Sequence, residues 1–205
     1  MPDRIELKNV GLRYGSDAVL KSINAVLETD TVVGVTGPNG SGKSTLLKII
    51  SGHLSPTRGR IGFFSANIPI PVAELYHQLT FSAPYIEIPD QMKLRELLNF
   101  TSKIKPWRDG WNDDSILELS GLEKSADKKI GDFSSGMKQR TKLLISIMQQ
   151  SSLLILDEPG TNLDVKAKEW YRNLLNENMR GRIVVIASNE DFDLEPANRW
   201  IHLPA

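Results

Sequence analysis

An α/β fold with a sheet dominated by parallel strands is predicted by three observations along the 205 residues. First, the β-branched run TVVGVT opens into the glycine-rich stretch TGPNGSGKST (Thr36–Thr45) and then into a segment of helical apolar spacing. Second, the later apolar runs SLLILDEP and RIVVIASN alternate with helical segments, the pattern of parallel strands joined by crossover helices. Third, a stretch from about Pro84 to Asp132 holds no clear strand. It carries helical spacing at Leu94, Leu97, Leu98 and at Ile116, Leu117, Leu119, and is broken by KPWRDGW.

Element by element, RIELKNVGLRY alternates through Ile5, Leu7, Val10, Leu12 and Tyr14, as a strand with one buried face does. VLKSINAVLET alternates less regularly and is expected to pair with it. TVVGVT reads as a buried strand, and TLLKIISGHL, from Thr45, as a helix with Leu46, Leu47, Ile49, Ile50 and Leu54 inward. SPTRGRIGFF is a turn and then a strand around Ile61–Phe64, and VAELYHQL is a short helix. Beyond the helical insertion, SSGMKQRTKLLISIMQQ reads as a helix entered through a glycine. SLLILDEP is a buried strand ending in two acids, VKAKEWYRNLLNENM a helix, RIVVIASN a buried strand and RWIHL a last short one. The organisation expected is a single domain over residues 1–205, with a core of approximately 1–83 and 136–205 and a helical insertion of approximately 84–135.

Composition narrows the function. Formal net charge is zero, with 25 Lys plus Arg against 25 Asp plus Glu, so general attraction to nucleic acid or to an anionic membrane is unsupported. No cysteine is present and only 3 histidines are, which removes thiol chemistry and argues against a zinc site. The N-terminal MPDRIELKNV has no apolar signal core, and no run approaches the roughly 18 apolar residues that a membrane-spanning helix needs. A soluble, intracellular chain is expected, and any membrane process it serves would need another chain to cross the bilayer.

The chemistry-bearing stretch is TGPNGSGKST. Gly37, Gly42, Lys43 and Ser44 satisfy G-x-x-x-x-G-K-[ST], a phosphate loop. Glycines let backbone N–H groups turn inward around an oxyanion, and the helix that follows favours anions at its N-terminus. Lys43 is placed to reach the β- and γ-phosphates, Ser44 to ligate Mg²⁺, and Thr45 to bond the α-phosphate. LLILDEP supplies a second element. Four apolar residues put Asp157 at a strand's carboxyl end, where it would hold Mg²⁺, and Glu158 would polarise an attacking water.

Phosphate loop and acidic strand fit many nucleotide hydrolases; DFSSGMKQR is more specific. With Gly136 lying 21 residues before Asp157, it resembles the signature motif of ABC-type ATPases, usually LSGGQ followed by a basic helix. GTNLD (Gly160–Asp164) resembles that family's D-loop, and Tyr14, 29 residues before Lys43, stands where the family stacks an aromatic ring on adenine. The resemblance runs over essentially the whole chain, in order. It implies a P-loop NTPase fold, an ABC-type core with a mixed sheet and a small helical subdomain. It also implies hydrolysis of ATP with Mg²⁺. The nucleotide would be held by Tyr14, Gly37, Pro38, Asn39, Gly40, Ser41, Gly42, Lys43, Ser44 and Thr45, the metal by Ser44 and Asp157, and the catalytic groups would be Glu158, Lys43 and Asn189. Ser134 and Gly136 would meet the γ-phosphate of an opposite protomer in a head-to-tail dimer, homotypic or heterotypic. Separate transmembrane permease subunits are implied as partners, placing the chain on the cytoplasmic face of a membrane through them.

Departures from the family pattern bear on rate. Ungapped, Pro84 falls where the family carries a glutamine near Mg²⁺ and water, and Asn189 where it carries a histidine contacting the γ-phosphate. Proline offers no side-chain donor, and asparagine is never cationic although its NH₂ donates. Each lost donor to transition-state charge costs about 10²–10³ in rate, so turnover is expected to be slow. Ser135 and Met137 also replace the family's glycine and glutamine; the serine is tolerated if its φ is not positive. Two alternatives stand beside transport: a nucleotide-gated clamp or switch of the same family, favoured by the missing glutamine, and a P-loop small-molecule kinase. Among lesser features, Trp107 and Trp111 are expected in the insertion's own core, Trp170 and Tyr171 in the core, and Lys128, Lys129, Lys138 and Arg140 on solvated faces. His53 and His77 have no identifiable partner in sequence, and His202 reads as structural.

Overall fold

The structure is a computed structural model, in which residues 2–204 are described. In chain order, the first elements are β1 (Arg4–Tyr14), β2 (Asp17–Glu28), β3 (Val32–Thr36), α1 (Lys43–Ile50), β4 (Arg58–Ser65), β5 (Ile68–Pro69) and β6 (Leu79–Ser82). They are followed by α2 (Leu94–Ile104), α3 (Asp113–Ser120), α4 (Ser135–Met148), β7 (Leu153–Asp157), α5 (Val165–Asn178), β8 (Ile183–Ala187), α6 (Asp191–Leu194) and β9 (Arg199–His202). VAELYHQL forms a 3₁₀ turn, Val72–His77, rather than an α-helix. Contacts group the chain into two compact units. One holds the chain up to Phe81, Ser151–Glu158 and the chain from Met179 onward; the other holds Ser82–Gln150 and Pro159–Asn178. The second unit therefore takes in α4 and α5 as well as the insertion expected from sequence.

The first unit is built on two sheets. β1 pairs antiparallel with β2 and β4, bringing Ile5 opposite both Leu27 and Phe63. The alternation of Ile5, Leu7, Val10 and Leu12 is realised as one buried face, with register shifts after Leu7 and Val10. In the second sheet, of order β6-β7-β8-β3-β9, the strands β7, β8, β3 and β9 run parallel. The short apolar runs read from sequence are these central strands, and β7 and β8 are buried throughout, as strands covered on both faces must be. Helix α1 ends earlier than the spacing to Leu54 suggests, at Ile50. Its Leu46, Leu47, Ile49 and Ile50 join residues of both sheets in one core cluster. Each such side chain contributes about 1.5–3 kcal/mol by burial, so the helix that follows the glycine loop is anchored by the core rather than by its own propensity. Arg182 is fully buried at the start of β8, its guanidinium donating to the Ser151 carbonyl (2.9 Å) and hydroxyl (3.0 Å).

The second unit is helical. α2 packs on α3, α3 on α4, and α4 on α5. Trp107 is buried, its indole N–H donating to Asp113 Oδ1 at 2.7 Å, whereas Trp111 is exposed and lies outside the small core expected to hold both. Tyr171 is buried as expected. Arg140 is not on a solvated face: its guanidinium lies 4.3 Å from the ring centre of Trp170, and burial pulls its pKa below the usual arginine value. Lys138 pairs with Asp90 at 2.7 Å.

Asp113 ties this unit to pH. Burial alone would raise its carboxyl, but hydrogen bonds from Trp107, Asn99 and Ser102 outweigh burial and hold it below the ordinary aspartate value. A carboxyl lowered on folding adds stability above its unfolded value, near 3.9, and loses it as pH falls through the lower folded value. Asp113→Ala is expected to cost about 1 kcal/mol at pH 7, kept small by the group's partial exposure. Denaturant titrations of both proteins at pH 7 and at about pH 3 check this: the gap should narrow in acid, and a gap that widens would contradict the assignment.

Candidate phosphate-binding site

The loop from Gly37 to Gly42 has backbone angles only glycine holds without strain. Gly37, Gly40 and Gly42 have φ of 153°, 82° and 96°. A Cβ on Gly37 would lie 2.6 Å from Ser41 Oγ and 2.7 Å from the Leu203 carbonyl; on Gly42 it would lie 2.8 Å from Leu20. Gly42 is also the N-cap of α1 and places no side chain over that helix's first N–H groups. The Ser41 hydroxyl is buried with no hydrogen-bond partner among the described residues, a donor left for an acceptor from outside the chain. Lys43 is 7% exposed. Its ammonium donates to the carbonyls of Gly37 (2.8 Å) and Pro38 (3.4 Å) and to Asn189 Oδ1 (3.0 Å). Asn189 Nδ2 in turn donates to Asn39 Oδ1 at 2.7 Å. An inward lysine, a glycine cradle and a buried spare hydroxyl fit a polyphosphate.

Parallel register gathers the remaining groups. Asp157 pairs with Ala187, and Ala187 with Val35, so β7, β8 and β3 end level with one another. The chain leaves those ends as Glu158, Ser188 and the glycine loop. Asp157 is buried, and Ser44 stands in the first turn of α1, which packs on β7 and β8. No cluster of three or more His, Cys, Asp or Glu able to hold a metal occurs among the described residues. One carboxylate and one hydroxyl suit Mg²⁺, which keeps waters and substrate phosphates as its other ligands, and do not suit a metal needing an all-protein cage. Glu158 has φ of 46°, a left-handed conformation that costs a non-glycine residue about 1–3 kcal/mol and that gathers at functional sites. Its N–H donates to the Ala187 carbonyl at 2.7 Å, and its Oε2 lies 3.1 Å from the Ser188 hydroxyl.

Sequence reasoning missed Ser188 and Asp193. The fully buried Ser188 hydroxyl lies 2.7 Å from Asp193 Oδ2 as well as 3.1 Å from Glu158, and accepts the Glu190 N–H at 3.1 Å. One hydroxyl hydrogen is thus shared between two carboxylates. The available signal was an acid, Asp193, in the unassigned segment between RIVVIASN and RWIHL.

The remaining expected residues stand elsewhere. Tyr14 is exposed at the end of β1, on the hairpin whose Leu20 touches the glycine loop. Ser134 caps α4, its Oγ accepting the Met137 N–H at 3.2 Å. Ser135 is not among the residues of positive φ, so serine sits there without strain. Gly136 is needed for close approach, because a Cβ would lie 2.9 Å from the Asn162 carbonyl. Pro84 offers only its carbonyl, which with that of Ala83 accepts from Lys142, a lysine whose pKa burial lowers. His202 Nδ1 lies 2.7 Å from Thr36 Oγ1, and His53 Nδ1 lies 2.8 Å from Ser51 Oγ, a partner the sequence did not reveal.

The sequence model of the family described as ABC transporter matches residues 20–161. The chain belongs to that family. It is 33% identical over 199 residues to the ABC transporter ATP-binding protein YybJ of Bacillus subtilis, covering 93% of this chain and 87% of that protein. It is 29% identical over 230 residues to the spermidine/putrescine import ATP-binding protein PotA of Mycoplasma capricolum, covering 96% of this chain but 65% of that one, so it spans about two thirds of that relative's length. The dimeric structure of MJ0796, a bacterial ABC transporter cassette, matches with TM-score 0.80 at 26% identity, over 98% of this chain and 94% of that chain. The fold is therefore the α/β fold of the P-loop NTPases in its ABC form, with mixed antiparallel and parallel sheets. The family's ATP-binding domains bind ATP and are ATPases.

The 3.1 Å contact predicts that Ser188 positions Glu158. Ser188→Ala should lower kcat about tenfold, the effect of one misplaced hydrogen bond, with KM unchanged, and Ser188→Thr should restore most of it. Steady-state kinetics on the three proteins decide; equal kcat in wild type and alanine variant would remove the role.

Proposed function

We propose that the chain binds Mg–ATP and hydrolyses it as the ATP-binding subunit of an ABC transporter, driving transport through separate membrane-spanning subunits. The observation that carries the reading is the level ending of β3, β7 and β8, which brings the glycine loop with Lys43 together with Asp157 and Glu158. Lys43 and the loop N–H groups hold the β- and γ-phosphates, Thr45 the α-phosphate, and Tyr14 stacks on the adenine. Ser44 and Asp157 hold Mg²⁺, which when bound neutralises phosphate charge. Glu158, held by Ser188, accepts the proton of the attacking water. Asn189 replaces the family's histidine with a neutral amide, and Pro84 supplies no side-chain donor or acceptor at its position; both slow the step. Ser134 and Gly136 serve the nucleotide of a second protomer in a two-fold, head-to-tail dimer.

Among the described residues no helix is long and apolar enough to cross a membrane. The relatives' names include spermidine/putrescine import, zinc import and Nod factor export, so neither cargo nor direction follows from them. Pro84 favours a second reading, a nucleotide-gated clamp on a soluble partner. A small-molecule kinase loses its ground, because the family match takes in the signature segment as well as the phosphate loop.

Steady-state hydrolysis of Mg–ATP by wild type beside Glu158→Gln, with size in solution read in parallel, tests the proposal. Transport ATPase chemistry requires slow hydrolysis in wild type, a loss of about 10²-fold or more in the variant, and a dimer of the variant that forms with ATP and not with ADP. Equal rates in the two proteins would remove Glu158 as the base. ATP-dependent dimers without hydrolysis in wild type would favour the clamp.

A further inference from the structure

We infer that Asn39 and Asn189 form a two-amide latch on Lys43 that favours a nucleoside diphosphate over a triphosphate in the phosphate loop. The inference rests on the nucleotide-site reading above and concerns how this chain's own side chains answer the γ-phosphate.

The latch follows from donor and acceptor inventory. The Lys43 ammonium has three N–H groups and no lone pair, so the atom of Asn189 facing it at 3.0 Å must be the carbonyl oxygen. With Oδ1 turned to Lys43, the NH₂ of Asn189 points at Asn39, and the atom it meets at 2.7 Å is Asn39 Oδ1. Lys43 therefore sets the orientation of Asn189, and Asn189 sets that of Asn39. Asn189 lies 146 positions from Lys43 and 150 from Asn39 in sequence.

A γ-phosphate would enter as an acceptor, needing Lys43 and any neighbouring amide as donors. In the latched orientation, Asn189 presents an oxygen on the side of Lys43 and competes for the ammonium. To donate from that side the amide must turn over. Its NH₂ would then face the Lys43 N–H groups, and its oxygen would face Asn39 Oδ1 unless Asn39 turned too. The two amides consequently flip together or stay together. A diphosphate, which has no γ-phosphate, takes the Lys43 N–H that now meets the Pro38 carbonyl at 3.4 Å, the longest of its three contacts, and leaves the latch closed, whereas a triphosphate opens it. Both asparagines are exposed, so each can be altered without disturbing the core.

The test is equilibrium binding of ADP and of a non-hydrolysable ATP analogue, each with Mg²⁺, to wild type, Asn39→Ala and Asn189→Ala. Side-chain amide resonances of the nucleotide-free proteins are recorded alongside. Asn39→Ala frees Asn189 to turn and should raise analogue affinity relative to ADP about two- to tenfold, the span of one neutral hydrogen bond. It should also move the Asn189 NH₂ resonances in the absence of nucleotide. Asn189→Ala removes the competing oxygen and the amide donor together, so its affinity ratio should rise less than that of Asn39→Ala. An unchanged ratio with unmoved resonances, in proteins that bind nucleotide, would overturn the latch and leave the nucleotide-site reading intact. Wild type binding neither nucleotide would overturn both.

Discussion

Lys43 carries its charge at 7% exposure, and a buried ammonium persists only where oxygens surround it. Two of those oxygens are carbonyls of Gly37 and Pro38, in the loop that curls round it. Holding the loop in that shape requires positive φ at Gly37, Gly40 and Gly42 and leaves no room for a Cβ at Gly37 or Gly42. The helix that carries Lys43 is fixed in turn by Leu46, Leu47, Ile49 and Ile50 in the core shared by both sheets. Core burial, helix placement, loop shape and lysine position are thus one chain of dependence, and a change at any link alters where a phosphate would sit.

Register does the rest. Because β7, β8 and β3 are parallel and end level, the residues that follow them emerge side by side although far apart in sequence. Glu158 accepts backbone strain at that point, and the Ser188 hydroxyl lies against its carboxylate. Side-chain donors beside the glycine loop are few: the amide at position 189 is itself committed to Lys43 and Asn39. Charge developing in a transition state would be met mainly by Lys43, the loop N–H groups and a metal, which is the physical ground on which slow turnover is proposed.

Local pattern made much of this legible. β3, β7 and β8 are short, apolar and flanked by polar residues, with β3 and β8 rich in β-branched residues, so pattern and length agree, and the glycine-lysine spacing states its own geometry. The departures at Pro84 and Asn189 were also visible in sequence. Contacts between distant segments were not. Nothing adjacent to Asn189 announces Asn39, and a four-residue helix such as α6 leaves no periodic trace, so the Ser188–Asp193 contact stayed hidden. Arg140 looked like one charge of a basic helix; its place over Trp170 depends on α4 lying against α5. Likewise α4 and α5 group with the helical unit through packing that hydrophobic spacing alone does not specify.

The measurement closest to the centre of this account is a calorimetric titration of Mg–ATP into wild type and Lys43→Ala, with folding of the variant checked by its thermal melt. Loss of a buried, charge-assisted contact to phosphate predicts that the variant stays folded and binds at least about tenfold more weakly. Equal affinity in a folded variant would mean that Lys43 does not meet the phosphates and that the loop's geometry serves the fold alone.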